Sequence, residues 1–369
     1  MKKKIQVLFI VGVLLVCILP LVKFNRVGTV SEKENRGLAV KPYLFVDNRL
    51  NQNFFSEYSN YLNDRFGGRN RLVTLNKFIQ YNILHGAIYN EKAFKGKSEW
   101  WFYISSSDGN NLSDFYKRNL LNNDELKNFR TNIENTLNWC KTQNISCIFL
   151  IGPNKHSVYS EFYPFERPAG QTRADQLVSV LEDAGASYIF PRDILISKKS
   201  EIDVPLYYET DTHWNPLGAF VAYEQLLNML KEMFPNQNFP EIQYDTKIEY
   251  STTAGDILPM LGVENSKSTQ PKLIPQGIMQ DELYTYIKKD GVNGVHTKGA
   301  DETAPRALVF RDSFFTALEP FVSPLFSETE YIWKKFSESD KEYVLEYKPD
   351  VIIFESVERH LPSICSGIK

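Results

Sequence analysis

Apolar positions along the chain follow two alternating patterns from about residue 96 onward. Short apolar runs, typical of buried strands, are separated by stretches with apolar residues on one helical face. The runs lie at 147–151, 187–190, 306–310 and 351–354, and the predicted helices lie at 123–143, 172–184 and 216–234. This alternation predicts an α/β domain over residues 96–369, with a parallel-rich central sheet flanked by helices.

Turn-forming residues refine this prediction in two places. Asn215 is positioned to cap the helix that begins at Pro216, a residue type favoured in the first helical turn. Between about 235 and 305 the chain has many Pro, Gly, Gln and Lys residues. We therefore expect this segment to be a loop-rich insertion in the α/β domain.

Residues 27–95 show a different pattern. A polar connector leads into two predicted packing helices, each with aromatic or aliphatic residues on one face. We expect neither helix to carry catalytic residues. The apolar positions are Phe54, Phe55, Tyr58, Tyr61 and Leu62 in the first helix, and Leu72, Leu75, Ile79 and Leu84 in the second.

Residues 1–26 have the features of a membrane-insertion signal. Three lysines at 2–4 precede an apolar run at 5–22, which as a helix rises about 27 Å, close to the thickness of a hydrocarbon core. No small-x-small cleavage site follows, so an uncleaved anchor in the cytoplasmic membrane is favoured over a cleaved signal peptide. The lysines then place everything after Val27 on the extracytoplasmic side, in a periplasm or outside the cell.

Composition and charge narrow the function classes. Of 369 residues, 43% are hydrophobic and 24% charged, which is typical of a globular protein. The net charge of −3 and the lack of a basic stripe beyond the first residues argue against nucleic-acid binding.

Cys140 and Cys147 are candidates for a disulfide or for buried thiols, and the sequence leaves both open. No Cys/His spacing indicates a zinc site.

A serine follows the predicted strand at 306–310. Ligands of open α/β sheets bind beyond the carboxyl ends of the strands, and Ser313 lies there, with a short helical stretch predicted after it. A serine on such a turn exposes its hydroxyl at the sheet edge, and its backbone N–H can help to bind an oxyanion. A helix cap is the alternative role for this residue.

An aspartate and a histidine precede the predicted helix at 216–234. Asp211 and His213 are two residues apart and therefore share a face in an extended chain. The aspartate can accept a hydrogen bond from Nδ1–H of the imidazole, which leaves Nε2 free to take a proton from a hydroxyl. Because a serine hydroxyl is a poor nucleophile without such a base, Asp211, His213 and Ser313 form a candidate catalytic triad.

Together these motifs resemble the alginate O-acetyltransferase family of SGNH-hydrolase-like proteins, the AlgJ and AlgX type. The segment DTHWNP at 211–216 is similar to the family's DTHW-x-P motif, and RDSF at 311–314 is similar to its nucleophile block. In the family, as here, the Asp–His pair precedes the serine. The segment at 96–103 is similar to the family's GK-D-GWLFY, although Ser98 and Glu99 replace its usual Asp-Gly.

This resemblance implies an SGNH-hydrolase-like fold and acetyl transfer onto a secreted or cell-surface polysaccharide. It also implies a multi-pass membrane acyltransferase as the partner that supplies the acetyl group. Because the triad provides both nucleophile and base, we expect no metal or other cofactor. The same triad makes a carbohydrate acetylesterase if water takes the acetyl group from the serine, and the triad residues do not separate the two activities.

Three further residues are candidate substrate contacts. Asn154 and Lys155 follow the predicted strand at 147–151. The Asn154 amide is a candidate oxyanion donor and Lys155 a candidate substrate contact, with a plain turn as the alternative. Trp214, next to the histidine, is the third candidate.

Two other function classes compete with the triad. Glu209, Asp211 and His213 alternate along the chain and would converge on one cation in a metal-dependent hydrolase. No second cluster of ligands at metal spacing follows, which argues against this class. The other alternative is a non-catalytic glycan-binding or assembly protein that keeps the fold without turnover.

Overall fold

The structure is a computed structural model of the chain. It describes residues 24–25, 30–31, 36–46, 49–68, 89–253, 255–261, 263, 265–290 and 294–368. The chain divides into two compact units, the first formed by Met1–Ile88 with Leu258–Glu264 and the second by Tyr89–Ile257 with Asn265–Lys369.

The first unit contains short strand pairs and one helix. Its elements are β1 (Val30–Ser31), β2 (Arg36–Gly37), β3 (Phe45–Val46), β4 (Arg49–Leu50) and α1 (Phe54–Arg65). Helix α1 covers the first of the two predicted packing helices. The second, at 72–84, and the apolar run at 5–22 lie outside the described residues. Among the helices that are described, none is long and apolar enough to cross a membrane.

The second unit is built on a mixed sheet of seven strands. The strands of the unit are β5 (Ala93–Lys95), β6 (Trp101–Tyr103), β7 (Ser146–Gly152), β8 (Tyr188–Ile189), β9 (Tyr244–Thr253), β10 (Asn265–Pro275), β11 (Tyr284–Asp290), β12 (Gly294–Gly299), β13 (Arg306–Phe310), β14 (Glu328–Ile332), β15 (Phe336–Ser337), β16 (Val351–Val357) and β17 (Cys365–Ser366). The large sheet has the order β11-β12-β14-β13-β16-β7-β8.

Five neighbouring strands of this sheet, from β14 to β8, run parallel. The two remaining strands, β12 and β11, extend one edge in antiparallel pairing. The four apolar runs in the sequence correspond to β7, β8, β13 and β16, which confirms the predicted parallel-rich α/β fold. Strand β13 lies between β14 and β16, so its carboxyl end is at the middle of the sheet.

The continuous apolar character of these strands follows from burial on both faces. In β7, Ile148 and Leu150 belong to the core on one face, whereas Phe149 and Ile151 belong to the core on the other. Each fully buried aliphatic or aromatic side chain contributes about 1.5–3 kcal/mol. The pattern is that of a sheet covered by helices on both faces rather than one that faces water.

Helices cover both faces of the sheet, and α7 begins at its predicted cap. The helices after α1 are α2 (Asn111–Phe115), α3 (Asn123–Thr142), α4 (Lys155–Val158), α5 (Arg173–Asp183), α6 (Arg192–Lys198), α7 (Pro216–Met233), α8 (Ile257–Leu261), α9 (Gln280–Leu283), α10 (Glu319–Val322) and α11 (Lys341–Tyr347). The Asn215 side chain caps α7 by accepting from the backbone N–H groups of Leu217 and Gly218, as predicted. Helix α7 packs on one face of the sheet, while α3, α5 and α11 pack on the other.

The prediction of a loop-rich segment at 235–305 is wrong in its secondary structure. The segment contains an antiparallel ribbon of β9 and β10, and it also supplies β11 and β12 to the central sheet. The residues of β10 are mostly exposed or half-buried. Because a two-stranded ribbon has little buried surface, its sequence lacks the apolar alternation that identifies a half-buried strand.

Two local features settle points that the sequence left open. Ser98 and Glu99, in the turn between β5 and β6, have φ angles of 52° and 62°, so this left-handed turn forms without the glycine usual in the family motif. Cys140, in α3, and Cys147, in β7, are free thiols.

Candidate active site

The turn after β13 fixes the position of the serine. A 3₁₀ helix at Ser313–Ala317 begins directly after this turn, and Asp312 caps it by accepting from the backbone N–H of Phe314 at 2.9 Å. The other oxygen of the Asp312 carboxylate accepts from the backbone N–H of Val357 at 2.8 Å. The backbone N–H of Asp312 donates in turn to Glu355 Oε2 at 2.8 Å. These hydrogen bonds tie the turn to the neighbouring strand β16. They thereby hold Ser313 at the end of the sheet.

The Asp–His pair lies in a tight loop before α7. Tyr207 and Trp214 form an isolated antiparallel bridge at the base of this loop. Asp211 Oδ1 lies 2.6 Å from His213 Nδ1 and also accepts from the backbone N–H of His213 at 3.1 Å. The carboxylate therefore orients both the ring and the backbone of the histidine.

The fold brings the three candidate triad residues together. His213 Nε2 lies 2.7 Å from Ser313 Oγ, although the two residues are 100 positions apart in the sequence. With Nδ1–H donated to Asp211, Nε2 is the unprotonated nitrogen that accepts from the serine hydroxyl. The arrangement has the contacts that a serine nucleophile and its general base require.

Electrostatics at the pair favour a charged imidazole. Burial alone would lower the pKa of His213, but the hydrogen bond to Asp211 and the charges of Asp211 and Asp256 raise it above its usual value. Burial would raise the pKa of Asp211, yet its hydrogen bond to His213 and the imidazolium charge leave that pKa well below its usual range. The aspartate thus remains ionised and stabilises the imidazolium that forms when His213 takes a proton.

Trp214, a candidate substrate contact, borders the pocket at the triad and also joins the two segments of the site. Its side chain is fully buried, and its indole Nε1–H donates to the backbone carbonyl of Phe314 at 2.8 Å. The Phe314 ring lies against both His213 and Trp214. Trp214 therefore ties the histidine loop to the serine turn.

Lys155 is also buried, and the prediction of a substrate contact is wrong for this residue. Its Nζ donates to the backbone carbonyls of Tyr208, Glu209 and Asp211 at 3.0, 3.1 and 2.6 Å. Burial lowers the pKa of Lys155 to about 7, against the opposing effect of nearby carboxylates. A short helix directs the ammonium group into the protein, a direction that the sequence pattern could not indicate. Lys155 fixes the backbone that carries Asp211.

Asn154 remains a candidate oxyanion donor. Its backbone N–H donates to Glu358 Oε2 at 2.7 Å. Its side chain is buried, and within the described parts of the chain neither atom of its amide has a hydrogen-bond partner. Gly152, two residues earlier, is so close to Phe314 that an added Cβ would lie 2.7 Å from the Phe314 ring. The end of β7 thus reaches the residue next to Ser313.

A pocket of about 580 Å³ opens at the triad. Asp211, His213 and Ser313 lie along it, and its other walls are largely apolar. The ribbon contributes Tyr244, Ile274 and Pro275, with Tyr208 and Phe321 from other elements. This size and lining are typical of a site for an organic ligand.

The three residues of the alternative metal-dependent hydrolase do not come together. Glu209 turns away from the histidine and accepts from Ser268 and Thr269 instead. Asp256 takes its place, with ligand-type atoms of Asp211, His213 and Asp256 within 4.8 Å of one another. These atoms are already joined in hydrogen bonds among themselves and with Thr212, as expected of a proton-transfer site.

Asp256 is the site residue that sequence reasoning missed. It lies in the segment that was predicted to be loop-rich, and no motif surrounds it. Its position beside His213 depends on the long-range fold of the 235–305 segment.

The buried position of Lys155 predicts the effect of its replacement. Lys155→Met should lower the free energy of unfolding by roughly 2–4 kcal/mol, because three buried carbonyls lose their donor. It should also lower turnover of an acetyl ester by roughly 10²-fold, because Asp211 would shift. Urea unfolding and steady-state kinetics measure the two effects.

Lys97→Met is the matched control, because Lys97 is exposed and its Nζ makes one 3.3 Å hydrogen bond, to the carbonyl of Glu161. It should change neither quantity appreciably. Wild-type stability and turnover in Lys155→Met would contradict the role assigned to Lys155.

Comparisons with known proteins agree with this architecture. Residues 94–290, more than half of the chain, match the family model for the SGNH hydrolase-like domain of the acetyltransferase AlgX. The probable alginate O-acetylase AlgJ of Pseudomonas syringae pv. tomato is 28% identical over 123 residues. This match covers 33% of the chain and only 31% of that relative.

Solved structures share the fold at low identity. Bacillus cereus PatB1 superposes with a TM-score of 0.56 at 15% identity, covering 73% of this chain and 96% of that one. A DHHW family protein from Eubacterium siraeum gives a TM-score of 0.51 at 12% identity, with 74% and 93% covered. On the strength of the family match, the chain belongs to the AlgX family of SGNH-hydrolase-like acetyltransferases.

Proposed function

We propose that this protein is a serine-dependent O-acetyltransferase that acts on hydroxyl groups of a secreted or cell-surface polysaccharide. The observation that carries the proposal is the 2.7 Å contact between Ser313 Oγ and His213 Nε2, with Asp211 2.6 Å behind the imidazole. This geometry gives the serine a base, and the base an orienting carboxylate. Membership of an acetyltransferase family supports acetyl as the transferred group.

The first half of the proposed reaction forms an acyl-enzyme. His213 Nε2 takes the proton of Ser313 while Oγ attacks the carbonyl carbon of the acetyl donor. The tetrahedral intermediate collapses as the donor's alcohol oxygen leaves with the proton from His213. The acetyl group is then held as an ester on Ser313.

The second half transfers the acetyl group to the acceptor. A polysaccharide hydroxyl gives its proton to His213 Nε2 and attacks the serine ester, and the proton returns to Ser313 Oγ as that bond breaks. Water in the same position would give hydrolysis, so the positioning of the acceptor decides between transfer and esterase activity. The pocket is much larger than an acetyl group and has room for part of a sugar chain against its aromatic walls.

Two groups are candidates to stabilise the oxyanion of the tetrahedral intermediate. One is the backbone N–H of Ser313, at the start of the 3₁₀ helix. The other is the Asn154 amide, which is buried and has no partner among the described residues. A preorganised donor at this point lowers the barrier by several kcal/mol in other acyl-transfer enzymes.

The proposal extends to the place of the reaction. Residues 1–26 would anchor the protein in the cytoplasmic membrane, with the catalytic domain on the extracytoplasmic side. An acetyl donor made in the cytoplasm must then cross the membrane, and a multi-pass membrane acyltransferase would supply it. The acceptor polysaccharide would be reached on the same outer side.

Mass spectrometry tests the acyl-enzyme. Brief exposure of the wild type to an activated acetyl ester should add one acetyl group to the peptide that contains Ser313. Ser313→Ala and His213→Ala should abolish the adduct, and Asp211→Asn should slow its formation by about 10⁴-fold through the wrong imidazole tautomer. The rate should rise with pH through the His213 pKa, because only the neutral imidazole accepts the proton.

Chelation is the control for the competing metal mechanism, and EDTA should leave the rate of acylation unchanged. Full activity in a folded Ser313→Ala variant would overturn the assignment of the nucleophile. Activity that EDTA abolishes and a divalent ion restores would favour the metal-dependent hydrolase.

Acceptor dependence separates transferase from esterase. With an artificial acetyl ester as donor, acetylated oligosaccharides should form and the yield of free acetate should fall as acceptor is added. Free acetate that is unaffected by any of a panel of polysaccharide fragments would instead favour an acetylesterase. Absence of an acyl-enzyme in the folded wild type would favour the non-catalytic glycan-binding alternative.

Membrane topology is tested independently of chemistry. An alkaline phosphatase fused after Lys369 should be active, because that enzyme requires an oxidising extracytoplasmic compartment. The protein should remain in the membrane fraction after high-salt washing. A new amino terminus near residue 27 in the soluble fraction would convert the anchor into a cleaved signal.

A further inference from the structure

A second carboxylate lies beside the catalytic imidazole. Asp256 Oδ2 is 3.6 Å from His213 Nδ1. Thr212 holds this carboxylate with two hydrogen bonds, from its backbone N–H to Oδ1 at 2.7 Å and from its hydroxyl to Oδ2 at 2.5 Å. Asp256 is therefore fixed against the residue between Asp211 and His213.

The backbone around Asp256 is also shaped for this approach. The backbone N–H of Asp256 donates to Asp211 Oδ2 at 3.0 Å, so the segment contacts the triad carboxylate as well. An added Cβ on Gly255 would lie 2.4 Å from the carbonyl oxygen of Thr210 and 2.8 Å from Asp211 Cβ. Glycine at this position permits a contact that a side chain would prevent.

We propose that Asp256 acts on His213 both as a positioning residue and through its negative charge, an inference that rests on the proposed serine mechanism. Through Thr212 it holds the histidine loop in place. Its negative charge also stabilises the imidazolium formed when His213 takes the serine proton. The segment that contains β9 and β10 would then supply a residue that acts on His213, in addition to lining the pocket.

The charged groups around the site are consistent with this role. Asp211 and Asp256 both favour the imidazolium, whereas Arg359 disfavours it. Burial, together with the charge of Asp211, raises the pKa of Asp256 to about 6. The buried Lys155 ammonium lies near both carboxylates. Asp256 is therefore negatively charged above about pH 6, in the range where His213 acts as a base.

A purely structural role predicts a different result from an electrostatic one. Asp256→Asn keeps the size of the side chain and a carbonyl oxygen that can accept from Thr212, but removes the charge. If Asp256 only holds the loop, this variant should leave the titration of His213 unchanged. If its charge acts on the imidazole, the pKa of His213 must fall.

The direct test is an NMR titration of the full chain in detergent micelles, with labelled histidine rings and the Ser313→Ala substitution to prevent turnover. The chain has five histidines, and a His213→Ala spectrum assigns the signal of interest. Asp256→Asn should lower the pKa of His213 by about one unit. Asp256→Glu should retain most of the raised pKa.

Asp245→Asn is the matched control, because Asp245 lies on the same ribbon and makes an exposed hydrogen bond to Gln276. It should leave the pKa of His213 unchanged. Equal pKa values for His213 in folded Asp256→Asn and in the parent would overturn the inference. If Asp256→Asn fails to fold, Asp256→Glu is the deciding variant. Because it keeps the negative charge, a His213 pKa about one unit below that of the parent would also overturn the inference.

Kinetics with Ser313 restored give a second readout. Asp256→Asn should lower kcat for an acetyl ester about tenfold with little change in KM, and the acidic limb of the rate profile should move about one unit lower in pH. Added Zn²⁺ that shifts the His213 signal in the wild type but not in Asp256→Asn would identify a metal site and overturn the inference. A wild type without acylation at Ser313 would refute the proposed function, a result distinct from an unchanged His213 pKa.

Discussion

The hydrogen bond between His213 Nε2 and Ser313 Oγ imposes the constraint that the surrounding structure satisfies. The two side chains come from segments 100 residues apart, and a serine hydroxyl gains a base only if both segments stay in place to within a fraction of an ångström. Trp214 and Phe314, the next residue in each segment, provide this link directly. The indole N–H of one donates to the carbonyl of the other at 2.8 Å inside the core.

Buried polar groups hold the two segments from behind. Lys155 donates to three carbonyls of the histidine loop, and Asp312 connects the serine turn to β16. Burial raises the pKa of Glu355, which accepts from the Asp312 backbone, well above its usual value. Burying such groups costs desolvation energy, and their hydrogen bonds offset only part of that cost. These hydrogen bonds fix the positions of Ser313 and His213.

The ribbon of β9 and β10 lines part of the pocket without belonging to the central sheet. Strands β9 and β10 pair with each other rather than with the central sheet, and Tyr244 and Leu273 pack against the core. The two strands supply one wall of the pocket, and the connection between them carries Asp256. One wall of the pocket and Asp256 therefore lie on a segment separate from the central sheet that carries Ser313.

The sequence by itself determined the parallel-rich sheet, its main helices and the candidate residues Asp211, His213 and Ser313. These features are local, because strand burial on two faces and helix capping leave periodic or short-range signals. The tertiary structure alone decided the positions and partners of Lys155, Trp214 and Asp256, and it formed a ribbon where loops were expected. The direction of a buried lysine, and the partner of a carboxylate forty-odd residues away, depend on long-range packing, which leaves no periodic trace in the chain.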